Sequence, residues 1–359
     1  MNVAAAVGLD PGQLLETLLR NPSPTGSVSA AARALAALAR DAGFATSTGF
    51  AGSLVMSWGD DGPPIDSALV LLGHLDTVAG GPRVRREDGR LHGRGSVDAK
   101  GPLAAALAAV SRLPRRERGI TVVAAIDEEG ASECARALSR AAPPSHLIVL
   151  EPSGWDTITV AYRGCVRVRL QLEQDVAHHA LPRPSAADSL IAALSKLRRN
   201  LAELDAAGAC PAGRAVDRLQ LRVNTLACET DAGVEHAVAG VEVRLPAAVA
   251  VDAALERITG ATAGMNLEID SACPAVAVSR ANPVCRALAR AVAASGGQPS
   301  YTTKTGTSDL NVVLPAWRCP AAVYGPGDPS LDHTPHESVE IEDLHRSSRV
   351  LEAALAALR

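Results

Sequence analysis

Ser67-Ala68-Leu69-Val70-Leu71-Leu72-Gly73-His74-Leu75-Asp76-Thr77-Val78 passes from a short apolar run straight into an imidazole and a carboxylate. Such a run, with no polar alternation, predicts a strand buried on both faces. Two further segments repeat the pattern. Ile120 to Ile126 ends at Asp127-Glu128-Glu129-Gly130, and His146 to Leu150 ends at Glu151-Pro152-Ser153-Gly154. Between them, Asp98 precedes an apolar helix from about Gly101 to Leu113, and a second helix runs through Leu138. Strands alternating with helices predict an α/β sheet with covered faces. In open sheets of this kind, ligands collect beyond the carboxyl ends of the strands. The clusters His74-Leu75-Asp76, Asp98, Asp127-Glu128-Glu129, Glu151 and Asp332-His333 are therefore expected around one crevice.

Away from this centre, residues 10–42 read as two helices separated by Asn21-Pro22-Ser23-Pro24-Thr25-Gly26, whose prolines and glycine stop a helix. From about residue 158 the rhythm changes. Val166, Val168, Leu170 and Leu172 alternate with Arg167, Arg169 and Gln171, as in a sheet with one wet face. A helix from about Ser185 to Leu204, alternating stretches near 216–228 and 234–245, a helix near 252–263 and a strand near 266–271 complete a compact α+β insertion. After Pro274 the α/β pattern returns, with a helix over 282–294, a strand over 320–324 and a last helix from Ile341. The expected organisation is one domain from 1–158 and 273–359, interrupted by a smaller one over 159–272.

Composition narrows the function. With 359 residues, 47% hydrophobic and 21% charged, the chain reads as an ordinary globular enzyme. Three Trp, three Tyr and two Phe, with a net charge of −4, argue against a nucleic-acid surface. The seven cysteines form no CxxC pair, so neither a structural zinc site nor a disulfide framework is indicated. Scattered thiols, no signal peptide and no apolar run of membrane-spanning length lead to the expectation of a cytoplasmic protein that uses no membrane.

Two histidines and several carboxylates in one crevice suit divalent ions, zinc above all. Two ions roughly 3.5–4 Å apart need a shared carboxylate. Asp98, on a glycine-flanked loop, is placed for that role.

Three motifs in order, Gly73-His74-Leu75-Asp76-Thr77-Val78, Gly93-Arg94-Gly95-Ser96-Val97-Asp98-Ala99-Lys100-Gly101 and Asp127-Glu128-Glu129-Gly130, resemble those of the co-catalytic zinc deacylases and carboxypeptidases. That group includes acetylornithine deacetylase, succinyl-diaminopimelate desuccinylase and aminoacylase. The resemblance covers essentially the whole chain and implies a zinc-peptidase-like catalytic domain, its central mixed sheet flanked by helices, with an inserted α+β lid and dimerisation domain. Residue by residue, it implies that His74 and Glu151 bind a first zinc, Glu129 and His333 a second, and Asp98 both. Cobalt is an alternative metal. It further implies Glu128 as general base and Asp76 as the partner that orients His74. A lid histidine that reaches into the partner of a homodimer matches His178, with His179 as the alternative. Arg244 matches an arginine that grips a substrate carboxylate, although the asparagine that often precedes it in the family is not evident here.

Glu151-Pro152-Ser153-Gly154-Trp155, Lys304-Thr305-Gly306-Thr307-Ser308-Asp309 and Tyr324-Gly325-Pro326-Gly327 through Asp332-His333-Thr334-Pro335 look similar to one branch. Its members release lysine or ornithine from an amino-group carrier protein in lysine and arginine biosynthesis; His336 departs from the branch pattern. The substrate implied is an acyl-amino acid, joined through its α-amino group to the terminal glutamate of a small acidic carrier. Arg83, Arg85, Arg86, Arg90 and Arg94, then Arg112, Arg115, Arg116 and Arg118, are candidate docking groups for that carrier. Two other readings stay open: a deacetylase or dipeptidase acting on small substrates, and a non-catalytic binding homologue.

Overall fold

A computed structural model describes residues 8–59, 69–115, 119–178, 180–207 and 215–359. Ser67, Ala68, Arg116, Arg118 and His179 lie outside the described residues. The chain forms two compact units. One is drawn from residues up to Val160 with Val278–Thr302 and Ser308–Arg359, the other from Ala161–Ala277 with Thr303–Thr307.

The first unit is built on a mixed sheet. From one edge its strands run Ala45–Gly49, Ser53–Trp58, Ile120–Ala125, Leu69–His74, His146–Val149, Ala321–Val323 and the start of Thr157–Tyr162. Leu69–His74 lies parallel to both neighbours, with Leu69 opposite Ile120 on one side and His146 on the other. All six of its residues are buried, as are all six of Ile120–Ala125. This is why both segments are apolar throughout: a central parallel strand has no wet face to supply with polar residues.

The helix Lys100–Ser111 is buried along its whole length and is apolar all round. It packs against the helices Pro11–Leu19 and Ile341–Leu358 and against the strand Leu69–His74. Its start is pinned by Gly101, where a Cβ would meet the Ser96 carbonyl oxygen at 2.3 Å. Only glycine lets the helix begin so close to the Asp98 loop. Among the described residues two α-helices carry side-chain caps with a proline behind them: Asp10 before Pro11, and Asn282 before Pro283. Proline at a first helical position withholds no needed N–H.

The second unit is a four-stranded antiparallel sheet, ordered Gln220–Asp231, Val234–Leu245, Gly164–Asp175 and Asn266–Cys273. Val166, Val168 and Leu170 face a core shared with Ala237, Ala239, Val241 and Val243. The helices Ala186–Ala207 and Val251–Ala261 cover that face through Leu190, Leu194, Leu197, Ala254 and Ile258. Arg167 and Arg169 point the other way and remain exposed. Among the described residues no helix is long and apolar enough to cross a membrane.

Candidate functional site

His74 is the last residue of the strand Leu69–His74, with 1% of its surface exposed. Its Nε2 lies 3.0 Å from Asp98 Oδ1 and 3.7 Å from Glu151 Oε1. The other carboxylate oxygen of Asp98, Oδ2, lies 3.0 Å from His333 Nε2, which in turn is 2.8 Å from Glu129 Oε1. Two groups of potential ligand atoms result, His74–Asp98–Glu151 and Asp98–Glu129–His333, each within 4.8 Å. Asp98 belongs to both. All these residues lie in the first unit, each at or just beyond a strand end or on an adjoining loop.

The three consecutive acids after Ile120–Ala125 have separate surroundings. Asp127 caps the short helix Glu133–Leu138, accepting from the amides of Glu133 at 2.5 Å and Cys134 at 3.2 Å. Glu129 meets His333. Burial pushes the Glu128 carboxyl well above the usual range; His74 opposes the rise, while Glu151, Asp309 and Asp98 add to it.

Asp76 is fully buried. His74 Nδ1 lies 2.9 Å from the Asp76 carbonyl oxygen and 3.5 Å from Asp76 Oδ1, so its closer partner is the backbone. The carboxylate itself accepts from the Glu128 amide at 3.1 Å, the Glu129 amide at 3.2 Å and the Thr25 hydroxyl at 2.8 Å. One side chain therefore braces the start of the acidic loop.

Charge in the cluster is balanced against burial. Burial works to raise the Asp98 carboxyl, yet hydrogen bonds to His333 and His74 outweigh it and hold the group far below the usual range. Those bonds also act on the imidazoles. His333 is pushed up to about 10 by Asp98 and Glu129, and His74 rises well above its ordinary value although burial opposes it. Asp309, buried and with Oδ1 unpaired among the described residues, is raised to about 7 by burial and the nearby Asp127 and Asp76. Two groups of carboxylates set against imidazoles fit divalent cations, and the donor set of nitrogen and carboxylate oxygen suits zinc or cobalt.

Sequence reasoning missed four contributors. Glu337 is buried and accepts from three amides of the Asp98 loop. Thr25 sits in the Pro-Ser-Pro-Thr-Gly break between two helices and donates to Asp76. Lys100 is buried and donates to the carbonyls of Leu18 and Asn21; burial lowers it to about 8. Asp309 lies in the quoted Lys304–Asp309 run. Lys100 and Asp309 lie within quoted motifs and Glu337 two residues after one; Thr25 had no such signal.

His178 and Arg244 belong to the second unit. His178 is exposed, and its Nδ1 accepts from the Ala180 amide at 3.2 Å. Arg244 pairs through Nε with Glu242 at 2.7 Å, while its buried Nη1 has no hydrogen-bond partner among the described residues. The arginine-rich segment is largely ion-paired within the chain: Arg85 with Glu87, Arg86 with Glu16, Arg90 with Glu340 and Arg94 with Glu337. Arg112 pairs with Glu352, and Arg115 stacks over Trp58.

The chain is similar to several known proteins. A LysW-lysine hydrolase of Deinococcus radiodurans is 37% identical over 361 residues, covering 96% of this chain and 97% of that protein. A LysW-lysine/LysW-ornithine hydrolase of Saccharolobus solfataricus is 30% identical, covering 77% of each. The M20 family metallo-carboxypeptidase Sso-CP2 from Sulfolobus solfataricus shares the fold with a TM-score of 0.79 at 16% identity, over 98% of this chain and 99% of that one. Residues 70–357 match the group described as Peptidase family M20/M25/M40. The chain belongs to that family of metal-dependent hydrolases and cleaves amide bonds.

Proposed function

We propose that this chain is a two-cation hydrolase that releases lysine or ornithine from the terminal glutamate of a LysW-type amino-group carrier protein. The observation that carries the metal reading is the position of Asp98, whose two carboxylate oxygens each lie 3.0 Å from a different imidazole, His74 and His333. His74 and Glu151 would complete one site, and Glu129 and His333 the other. The substrate reading is supported by kinship with the Deinococcus radiodurans LysW-lysine hydrolase over nearly the full length of both chains.

When bound, the cations supply Lewis acidity for the scissile carbonyl and make a water molecule more acidic. The chain's own groups do the rest. Glu128, whose carboxylate burial makes more basic, takes a proton from the attacking water as the new C–O bond forms. It returns that proton to the amine nitrogen as the C–N bond breaks, so glutamate carboxylate and free amino acid leave together. Asp76 keeps Glu128 and Glu129 in register through their amides. In the second unit, Nη1 of Arg244, without a hydrogen-bond partner among the described residues, is suited to a substrate carboxylate. His178 would act across a homodimer formed through that unit.

Because the arginines from Arg85 to Arg94 are already paired, their attraction for an acidic carrier is reduced; among the candidates in that segment, exposed Arg83 makes no ion pair with the described residues. The test is a comparison of kcat/KM on carrier–lysine, carrier–ornithine and N-acetyl-ornithine. A preference for a carrier conjugate supports the proposal. Equal or better kcat/KM on N-acetyl-ornithine would make this a small-molecule deacetylase with the same metals.

A further inference from the structure

The loop Gly93–Ala99 carries Asp98 but has no regular structure of its own, and Gly93 and Gly95 both adopt positive φ. Something must hold its shape. Glu337 is fully buried. Its Oε1 accepts from the amides of Gly95 at 2.9 Å, Val97 at 2.9 Å and Asp98 at 3.2 Å. Its Oε2 lies 2.6 Å from Nη1 of Arg94, which is itself mostly buried. Three converging N–H groups form an anion-binding hollow, here filled by a side chain of the same chain. A charge-assisted contact with the guanidinium completes it.

Glu337 also stands four residues after His333, and Arg94 donates to the His333 carbonyl at 3.3 Å. The Gly93 amide bonds the Glu337 carbonyl at 3.3 Å. The two loops that bring Asp98 and His333 together are thus tied by one buried carboxylate and one arginine. Such an arrangement fixes the separation of the shared carboxylate from the imidazole of the second site, which ligand geometry demands within a few tenths of an ångström.

We propose that Glu337, locked by Arg94, is a positioning residue that sets Asp98 against His333 for cation binding. This rests on the metal-site reading above, and the experiment separates the two. Metal-free wild type, Glu337→Gln and Arg94→Met are titrated with Co²⁺, following heat release and the visible absorption of bound cobalt, and each protein's Tm is measured without metal. Glu337→Gln keeps the size and one acceptor oxygen but loses the charge. It should bind Co²⁺ at least tenfold more weakly, with an altered cobalt spectrum. Arg94→Met leaves Glu337 on the loop amides and loosens only the lock, so a smaller loss, about threefold, is expected at a Tm near that of wild type. If Glu337→Gln fails to fold, the Arg94→Met result decides. Unchanged Co²⁺ affinity and spectrum in the variants that fold, whatever their Tm, overturn the proposal. Failure of wild type to bind Co²⁺ would instead overturn the metal-site reading.

Discussion

Asp76 and Glu128, 52 residues apart, are joined by a hydrogen bond of 3.1 Å from the Glu128 amide to Asp76 Oδ1. The second oxygen of Asp76 takes the Glu129 amide and the Thr25 hydroxyl. One carboxylate therefore holds the proposed base and an adjoining ligand. Asp76→Asn turns an amide hydrogen toward one of these N–H groups and should lower both metal occupancy and turnover. Thr25→Val removes a single bond, typically about 0.5–1.5 kcal/mol, and should lower turnover less. Metal content and kcat of the two variants check the order; a larger loss in Thr25→Val would contradict it.

Glu128 and Glu129 are neighbours with different partners. Glu128→Gln retains its shape but cannot accept a proton, so kcat should fall by roughly 10²–10⁴ with cations still bound. Glu129→Gln should lose metal instead, because it faces His333 at 2.8 Å. Metal analysis beside kcat distinguishes them, and the reverse pattern would exchange the two roles.

Cation binding should depend on pH through His333. In the metal-free protein its imidazole is raised to about 10 by Asp98 and Glu129, so it is protonated at neutral pH. A raised value means stability fully present below about pH 6.5 and lost as pH climbs through about 10. A ligating imidazole must be neutral, so binding there displaces that proton. Between pH 6 and 8 affinity should rise by about tenfold per pH unit for this one proton. Co²⁺ titrations of wild type and His333→Gln check it. The variant should show a shallower slope, and identical slopes would remove His333 from the site.

Stability away from the site is separable from chemistry. Asn282 Oδ1 accepts from the amides of Val284 and Cys285, and its Nδ2 donates to the Ala321 carbonyl at 2.9 Å. Asn282→Ala should cost about 1–2 kcal/mol in chemical denaturation with Co²⁺ affinity unchanged. A loss of cation affinity would show that the helix Pro283–Ala294 is coupled to the site.

Legibility in the sequence followed burial. Leu69–His74 and Ile120–Ala125 were readable because strands buried on both faces are apolar throughout. Gly164–Asp175 was readable because one wet face imposes alternation. The hairpin Ala45–Gly49 and Ser53–Trp58 was not, since its Thr46, Ser47, Thr48 and Ser57 blur that pattern and its turn uses Ala51 at φ 56. The helix Leu310–Trp317 was hidden by Pro315 within it. His74, Asp98 and Glu129 announced themselves by residue type and context. Glu337 did not: its task is to accept backbone N–H groups, and any loop offers those without marking the sequence. The ion pairs of the arginine run were only partly legible, because besides the nearby Glu87 the acids that meet it come from residues 16, 337 and 340.

The most direct measurement is release of free lysine or ornithine from the carrier conjugate by one preparation in three conditions: as purified, after chelation, and after Zn²⁺ or Co²⁺ is restored. The account predicts release, its loss on chelation, and recovery that tracks the metal bound up to two ions per chain. Undiminished release by the metal-free protein, or none by protein carrying both ions, would contradict it.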